Sequence, residues 1–231
     1  MLIALLFVGC EGVVEEQLPS SPVINSEVYN VLLDGDSRTD GWNCSEEYPY
    51  INLLNLGDSV ALTKVSYGGA TTEELVERGS DFYLAHFDAS SKVNIVVIWI
   101  GANDFNVNNK RAGVVYKNLA RYCYARKAEG WEVIVCTEIS INGGVDGVFE
   151  KQRLIYNQLI YLTWRDFANR IADLGRNTKL GPSGSNENSQ YFCDGVHLTN
   201  TGTNIVASII EASILNQLKR KRSVCVSSDE A

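Results

Sequence analysis

The stretch from Val93 to Ile100 is apolar at every position but Asn94, and it stops at Gly101. Without polar alternation a strand has no face to give to water and must be covered on both sides, as central strands of parallel sheets are. The neighbouring sequence supplies the cover. Val28 to Leu33 is β-branched and apolar before Asp34-Gly35 and predicts a buried first strand. Val60 to Tyr67 predicts a second, ended by Gly68-Gly69. Thr71 or Thr72 then caps a helix through Arg78, with Glu73 and Glu74 in its first turn. Ala112 to Ala128 has helical period and ends at Gly130. Trp131 to Cys136 predicts a fourth strand, Glu150 to Leu174 a long amphipathic helix, and Thr201 to Leu218 the last helix. Strands alternating with helices define an α/β chain, a three-layer α/β/α sandwich around a central, mostly parallel sheet.

A chain of 231 residues suits one large domain with a full core. Twenty Lys and Arg against 28 Asp and Glu leave a net charge of −8. That balance argues against a protein dedicated to nucleic acid, which needs a basic face. No apolar run approaches the roughly 20 residues that span a bilayer.

The two ends differ from the middle. Residues 1–10 form a short apolar stretch closing on Phe7-Val8-Gly9-Cys10, which resembles the lipobox of bacterial lipoproteins; Cys10 would then be acylated. No Lys or Arg precedes the run, and Phe7 stands where Leu is usual. A buried amino-terminal strand followed by an ordinary Cys is the alternative. Residues 11–24 are acidic and aperiodic, as a tether would be. The expected organisation is a signal segment at 1–10, the tether, the α/β domain at 25–218, and a basic then polar tail at 219–231. It implies export, with a membrane tether through Cys10 and a place in a bacterial envelope; the alternative is a cytoplasmic protein. The run Lys219 to Arg222 suits a helix end, where cations oppose the dipole. None of the six cysteines has zinc-ligand spacing. Cys123 and Cys136 fall in periodic apolar segments and read as core thiols, and an exported protein could join Cys44 to Cys193.

In open α/β sheets, ligands bind beyond the carboxyl ends of the strands. The segments that follow the strands are Gly35-Asp36-Ser37, Gly68-Gly69-Ala70-Thr71 and Gly101-Ala102-Asn103-Asp104, and Asp194-Gly195-Val196-His197 precedes the last helix. Singly they are weak. Ser37 could cap a helix, Gly69 a tight turn, Asn103-Asp104 a bend and Asp194 a cap. Gly57-Asp58-Ser59 repeats the tripeptide, but it precedes a strand and so belongs to the opposite edge. Of the two histidines, His86 has no carboxylate motif beside it, whereas His197 follows Asp194 by three residues, within hydrogen-bond reach across one turn. An Asp holding Nδ1–H leaves Nε2 free as a base.

Taken together, and in this order, these segments resemble the SGNH (GDSL-type) hydrolases over roughly Val28 to Leu218. The nucleophile block is Gly35-Asp36-Ser37, the glycine block lies at Gly69, the third block is Gly101-x-Asn103-Asp104, and the last is Asp194-x-x-His197 within Asp194 to Gly202. Arg38 stands where Leu is common, outside the chemistry, and is expected on the local rim. The resemblance implies the flavodoxin-like fold of that family. It implies Ser37 as nucleophile, His197 as general base and Asp194 as its orienting carboxylate. Ser37 N–H, Gly69 N–H and the Asn103 amide would hold the oxyanion. No metal or cofactor is implied. Asp36 and Asp104 are expected to organise loops. Trp42, Tyr48 and Tyr50 would stack on a sugar or line an acyl pocket, or else pack in the core or rim.

Fold does not choose the substrate. With no long apolar lid and with aromatic residues near the first loop, the chain points to a small-molecule or polysaccharide ester carrying a short acyl group, acetyl on a carbohydrate. A lysophospholipid or acyl-thioester is the alternative substrate. A non-catalytic glycan-binding module on the same fold is the rival class. Oligomeric state is not legible.

Overall fold

The computed structural model describes residues 28–42, 48–141 and 147–228, with side chains as far as residue 221. Cys10 and Cys44 lie outside the described residues, as do the apolar segment and the tether. Cys193 is disulfide-bonded, and Cys123 and Cys136 are buried free thiols.

Five parallel strands form one sheet in the order β2-β1-β3-β4-β5: β1 Tyr29–Gly35, β2 Val60–Lys64, β3 Val93–Trp99, β4 Glu132–Cys136 and β5 Arg170–Ala172. β3 explains its own composition. Ile95, Val97 and Trp99 join one buried cluster, while Val96 and Ile98 join the other. Each face of the strand therefore meets a helical layer. Fully burying one such side chain contributes about 1.5–3 kcal/mol relative to leaving it exposed.

The helices are α1 Ser37–Asp40, α2 Thr72–Glu77, α3 Gly79–Leu84, α4 Ala102–Asn106, α5 Ala112–Ala128, α6 Val148–Phe167 and α7 Asn200–Ser228. One face of the sheet packs on α7 through Val206, Ile210 and Ile214. The other packs on α2, α3, α5 and α6 through Leu75, Tyr83, Leu119 and Ile160. Thr71 closes α2 with a capping box: its Oγ accepts from Glu74 N–H, and its own N–H donates to Glu74 Oε2 at 2.8 Å.

Several elements depart from expectation, among them the second strand, which ends at Lys64 and not at Tyr67. The helix expected to run to Leu174 ends at Phe167, and a fifth strand follows. Asn169 makes the break. Its N–H donates to the Val133 carbonyl at 2.8 Å and its Oδ1 accepts from Val133 N–H at 2.9 Å, which pins the chain to β4 in place of the helix. Ile171 and Leu174 keep a helical spacing that hides the change. Further on, α7 does not stop at Leu218 but carries the basic run inside it, with the Lys221 ammonium bonded to Glu132. Among the described residues, no helix is long and apolar enough to cross a membrane.

Candidate active site

β1 lies between β2 and β3, so the loop that leaves it is flanked by theirs. Gly35 pairs with Trp99, which brings the first and third loops out of the sheet at the same level. The turn there is tight: a Cβ on Gly35 would lie 2.3 Å from the Trp99 carbonyl oxygen, and its φ of +155° favours glycine as well. Asp36 then caps α1 by accepting the Arg38 N–H at 3.0 Å, which places Ser37 as the first residue of that helix. Ser59 sits at the other edge, where its carbonyl accepts the Tyr29 N–H at the start of β1.

Ser37 Oγ is 2.9 Å from His197 Nε2, and His197 Nδ1 is 2.7 Å from Asp194 Oδ2. The hairpin that carries this pair is closed by a bridge between Phe192 and Leu198 and by the Thr199 N–H to the Tyr191 carbonyl at 2.9 Å. Gly202 permits the close approach, since a Cβ there would lie 2.3 Å from the Tyr191 carbonyl oxygen. Between Asp194 and His197 the backbone is not helical. Gly195 takes a φ of +81°, and Asp194 Oδ1 accepts the N–H groups of Val196 and His197 at 2.9 and 2.7 Å. The reach inferred from sequence spacing is present, but an Asx-type turn makes it. Partial burial works against ionisation of Asp194. The two backbone donors and the His197 ring outweigh it and hold the carboxyl below its ordinary value.

The second and third loops are tied together. Asn103 Nδ2 donates to the Ala70 carbonyl at 2.9 Å. Buried Asp104 accepts the Thr72 N–H and hydroxyl at 2.9 and 2.8 Å. Burial raises the Asp104 carboxyl above its usual range, and the Thr72 donors oppose that rise. Gly69 has a φ of +82° with nothing among the described residues within 4 Å of a Cβ, so backbone conformation calls for glycine there. Asp36 and Asp104 both organise loops by accepting backbone N–H groups.

One residue is not where the sequence suggested. Arg38 is buried, not on the rim, because Glu138 and Asp36 neutralise it; its Nη2 lies 2.6 Å from Glu138 Oε2. Tyr50 takes the core place left open for it: it is buried and packs 6.4 Å from Trp99, centroid to centroid. Tyr48 is half-buried. Trp42 is 51 % exposed, with its ring centroid 4.2 Å from that of His197. His86 stands apart, its Nδ1 against the Phe82 carbonyl. Glu138 went unnoticed in the sequence, although it lies just beyond the carboxyl end of β4, where such residues are worth attention.

Chemically, the arrangement offers a hydroxyl against an imidazole whose far nitrogen is held by a carboxylate, and the third loop, which leaves the sheet at the same level, carries an uncharged amide. Among the described residues, no group of three or more His, Cys, Asp or Glu side chains is placed to hold a metal ion.

Residues 35–205 match the model of the GDSL-like Lipase/Acylhydrolase family. No curated protein matches the chain at a comparable level. Solved structures share the fold at low identity. A member of the lipolytic protein G-D-S-L family from Veillonella parvula DSM 2008 is 17% identical with a TM-score of 0.63, covering 79% of this chain and 96% of its own. The acetyl xylan esterase AlAXEase is 21% identical with a TM-score of 0.62, covering 79% and 98%. The psychrotrophic esterase EstA from Pseudoalteromonas sp., in a structure inhibited by monoethylphosphonate, is 17% identical with a TM-score of 0.62, covering 82% and 98%.

Proposed function

Since the chain belongs to the GDSL-like lipase/acylhydrolase family and is a carboxylic-ester hydrolase, we propose that it removes a short acyl group, acetyl, from a carbohydrate ester through an acyl-enzyme on Ser37. The observation that carries this reading is the continuous chain Ser37 Oγ, His197 Nε2, His197 Nδ1, Asp194 Oδ2. A serine hydroxyl is a weak nucleophile until a base takes its proton, and a base is useful only when held in the right tautomer.

Ser37 Oγ attacks the ester carbon while its proton moves to His197 Nε2. The tetrahedral oxyanion accepts hydrogen bonds from Ser37 N–H, Gly69 N–H and the Asn103 amide. One N–H of that amide is already committed to the Ala70 carbonyl, which fixes its direction and leaves the other for the oxyanion. The C–O bond to the sugar breaks as His197 returns the proton to the leaving oxygen. Water, deprotonated by His197, then attacks the acyl-enzyme, and the carboxylic acid leaves with Ser37 restored. Asp194 stays ionised throughout and stabilises the imidazolium.

The exposed Trp42 ring beside His197 supports a carbohydrate leaving group, because a flat aromatic face at the reaction centre suits stacking on a sugar. One protein of this fold is an acetyl xylan esterase, which supports the acetyl reading.

The test is fluorophosphonate labelling with peptide mapping, followed by hydrolysis of p-nitrophenyl esters of increasing chain length. A single adduct on Ser37 and a preference for acetate are expected. A preference for long chains would point to a lipid substrate. No adduct on folded protein would mean a binding module, and an adduct on Ser59 would move the site to the other edge of the sheet.

A further inference from the structure

Directly after Ser37 comes a side chain that no ester chemistry requires. Arg38 is 4% exposed, and its guanidinium bonds Glu138 at 2.6 Å and Asp36 at 3.4 Å, lying 4.4 Å above the Trp99 ring. Glu138 is fully buried as well. Its main chain is fixed from α6: Asn157 accepts its N–H at 2.8 Å, and Asn157 and Arg153 donate to its carbonyl at 2.7 and 3.0 Å. Arg153 is in turn held by Glu150. A rigid line of polar contacts thus runs from α6 through Glu138 and Arg38 to Asp36, the cap of the nucleophile helix.

The same carboxylate reaches the third loop. Gly101 opens the segment that carries Asn103, with a φ of +136°. A Cβ at that position would lie 3.5 Å from Glu138 Oε1 and 3.3 Å from the Tyr156 ring. One carboxylate oxygen therefore holds Arg38, and the other, which has no hydrogen-bond partner among the described residues, faces the place beside Gly101 that a Cβ would take.

Buried ion pairs contribute little net stability compared with apolar residues of the same volume, because desolvation offsets the attraction. What such a pair does supply is direction: bonded charges allow one relative placement, where aliphatic groups slide. We propose that the buried Arg38–Glu138 pair is a positioning device that sets the Ser37 turn and the Gly101–Asn103 loop against each other, and so fixes the spacing of the oxyanion donors. This rests on the serine-esterase reading above. Neither residue touches substrate. Their effect passes through Asp36 to Ser37 N–H and through Gly101 to the Asn103 amide, groups that must be in place before charge develops.

The experiment compares wild type with Arg38→Leu, Glu138→Leu, the double variant Arg38→Leu/Glu138→Leu, and Glu138→Gln. Thermal midpoint, kcat and KM on p-nitrophenyl acetate, and the fluorophosphonate labelling rate are measured for each. Each single Leu variant strands a buried charge and loses both midpoint and kcat. The double variant removes both charges and recovers most of the midpoint. Its kcat and labelling rate stay at least about 10-fold below wild type, with KM within about twofold, since donor alignment and not binding is lost. Wild-type kcat in the refolded double variant would show the pair to be packing only and overturn the proposal. If the double variant does not fold, Glu138→Gln decides, because it keeps the shape and weakens only the charged bond. A kcat lowered by about 10-fold at unchanged KM supports positioning, and an unchanged kcat refutes it. An unlabelled wild-type Ser37 would remove the esterase reading itself, a result distinct from any of these.

Discussion

Ser37 Oγ sits 2.9 Å from His197 Nε2, although 160 residues separate them in the chain. The contact joins the first turn after β1 to the hairpin before α7, and the proposed mechanism makes the two residues one functional unit. Units of this kind are strongly non-additive. Ser37→Ala and His197→Ala should each lower kcat by on the order of 10⁶, and the double variant should cost little more than either alone. Steady-state kinetics on p-nitrophenyl acetate checks this. A double variant slower by the product of the single losses would mean that the residues act separately.

In the proposed mechanism Asp194 links activity to acid stability. Its carboxyl is held below the usual aspartate range despite partial burial, chiefly by the His197 and Val196 N–H groups and the His197 ring. A depressed folded-state pKa means that the stabilisation is present above the unfolded value, near pH 3.9, and is lost as pH falls through the folded one. Asp194→Asn should therefore flatten the acid side of the plot of thermal midpoint against pH. It should also cut kcat by up to about 10⁴ through loss of the orienting carboxylate. An acid limb as steep as that of wild type would show that other carboxylates govern it.

Trp42 offers a test that separates substrate recognition from chemistry. Its ring lies 4.2 Å from that of His197, and half of it faces solvent. If the open face carries the sugar, Trp42→Ala should raise KM for an acetylated xylo-oligosaccharide by about 10-fold, as loss of an aromatic contact of about 1–1.5 kcal/mol implies. KM for p-nitrophenyl acetate should change much less. Equal losses in kcat on both substrates would instead assign Trp42 to holding the imidazole.

Much of this was legible before the structure. Buried strands announce themselves because a β-strand covered on both faces is apolar at most positions, so β1, β3 and β4 fell close to their observed bounds. The three-residue β5 did not, because Ile171 and Leu174 keep a helical spacing and only the bond between Asn169 and Val133 ends the helix. The Asp194–His197 reach was visible in its spacing, though the structure achieves it with a glycine at positive φ. Arg38 was misplaced and Tyr50 was left open between site and core for a common reason. Whether an arginine or tyrosine beside a site is rim or core depends on a partner far along the chain, here Glu138 for one and Trp99 for the other. Local pattern carries no trace of that partner.

The bond between Asp104 and Thr72 offers a last test, of how the third loop is held. Both carboxylate oxygens of Asp104 are occupied by Thr72, one by its N–H at 2.9 Å and one by its hydroxyl at 2.8 Å, inside the protein. Asp104→Ala leaves both donors buried without a partner, and stranding such a group costs about 1–3 kcal/mol. Thr72→Val removes only the hydroxyl bond, keeps the backbone one, and should cost less. The adjacent Asn103 is tied to the same neighbouring loop by its bond to the Ala70 carbonyl. Loosening Asp104 should therefore lower kcat with little change in KM, since the amide would no longer be aimed before charge develops. Asn103→Ala sets the scale, with an expected loss of about 10²–10³. Denaturant melts and steady-state kinetics on the three variants decide the matter. If Asp104→Ala loses stability but keeps wild-type kcat, the bond to Thr72 secures the fold alone, and Asn103 is aimed by its link to Ala70.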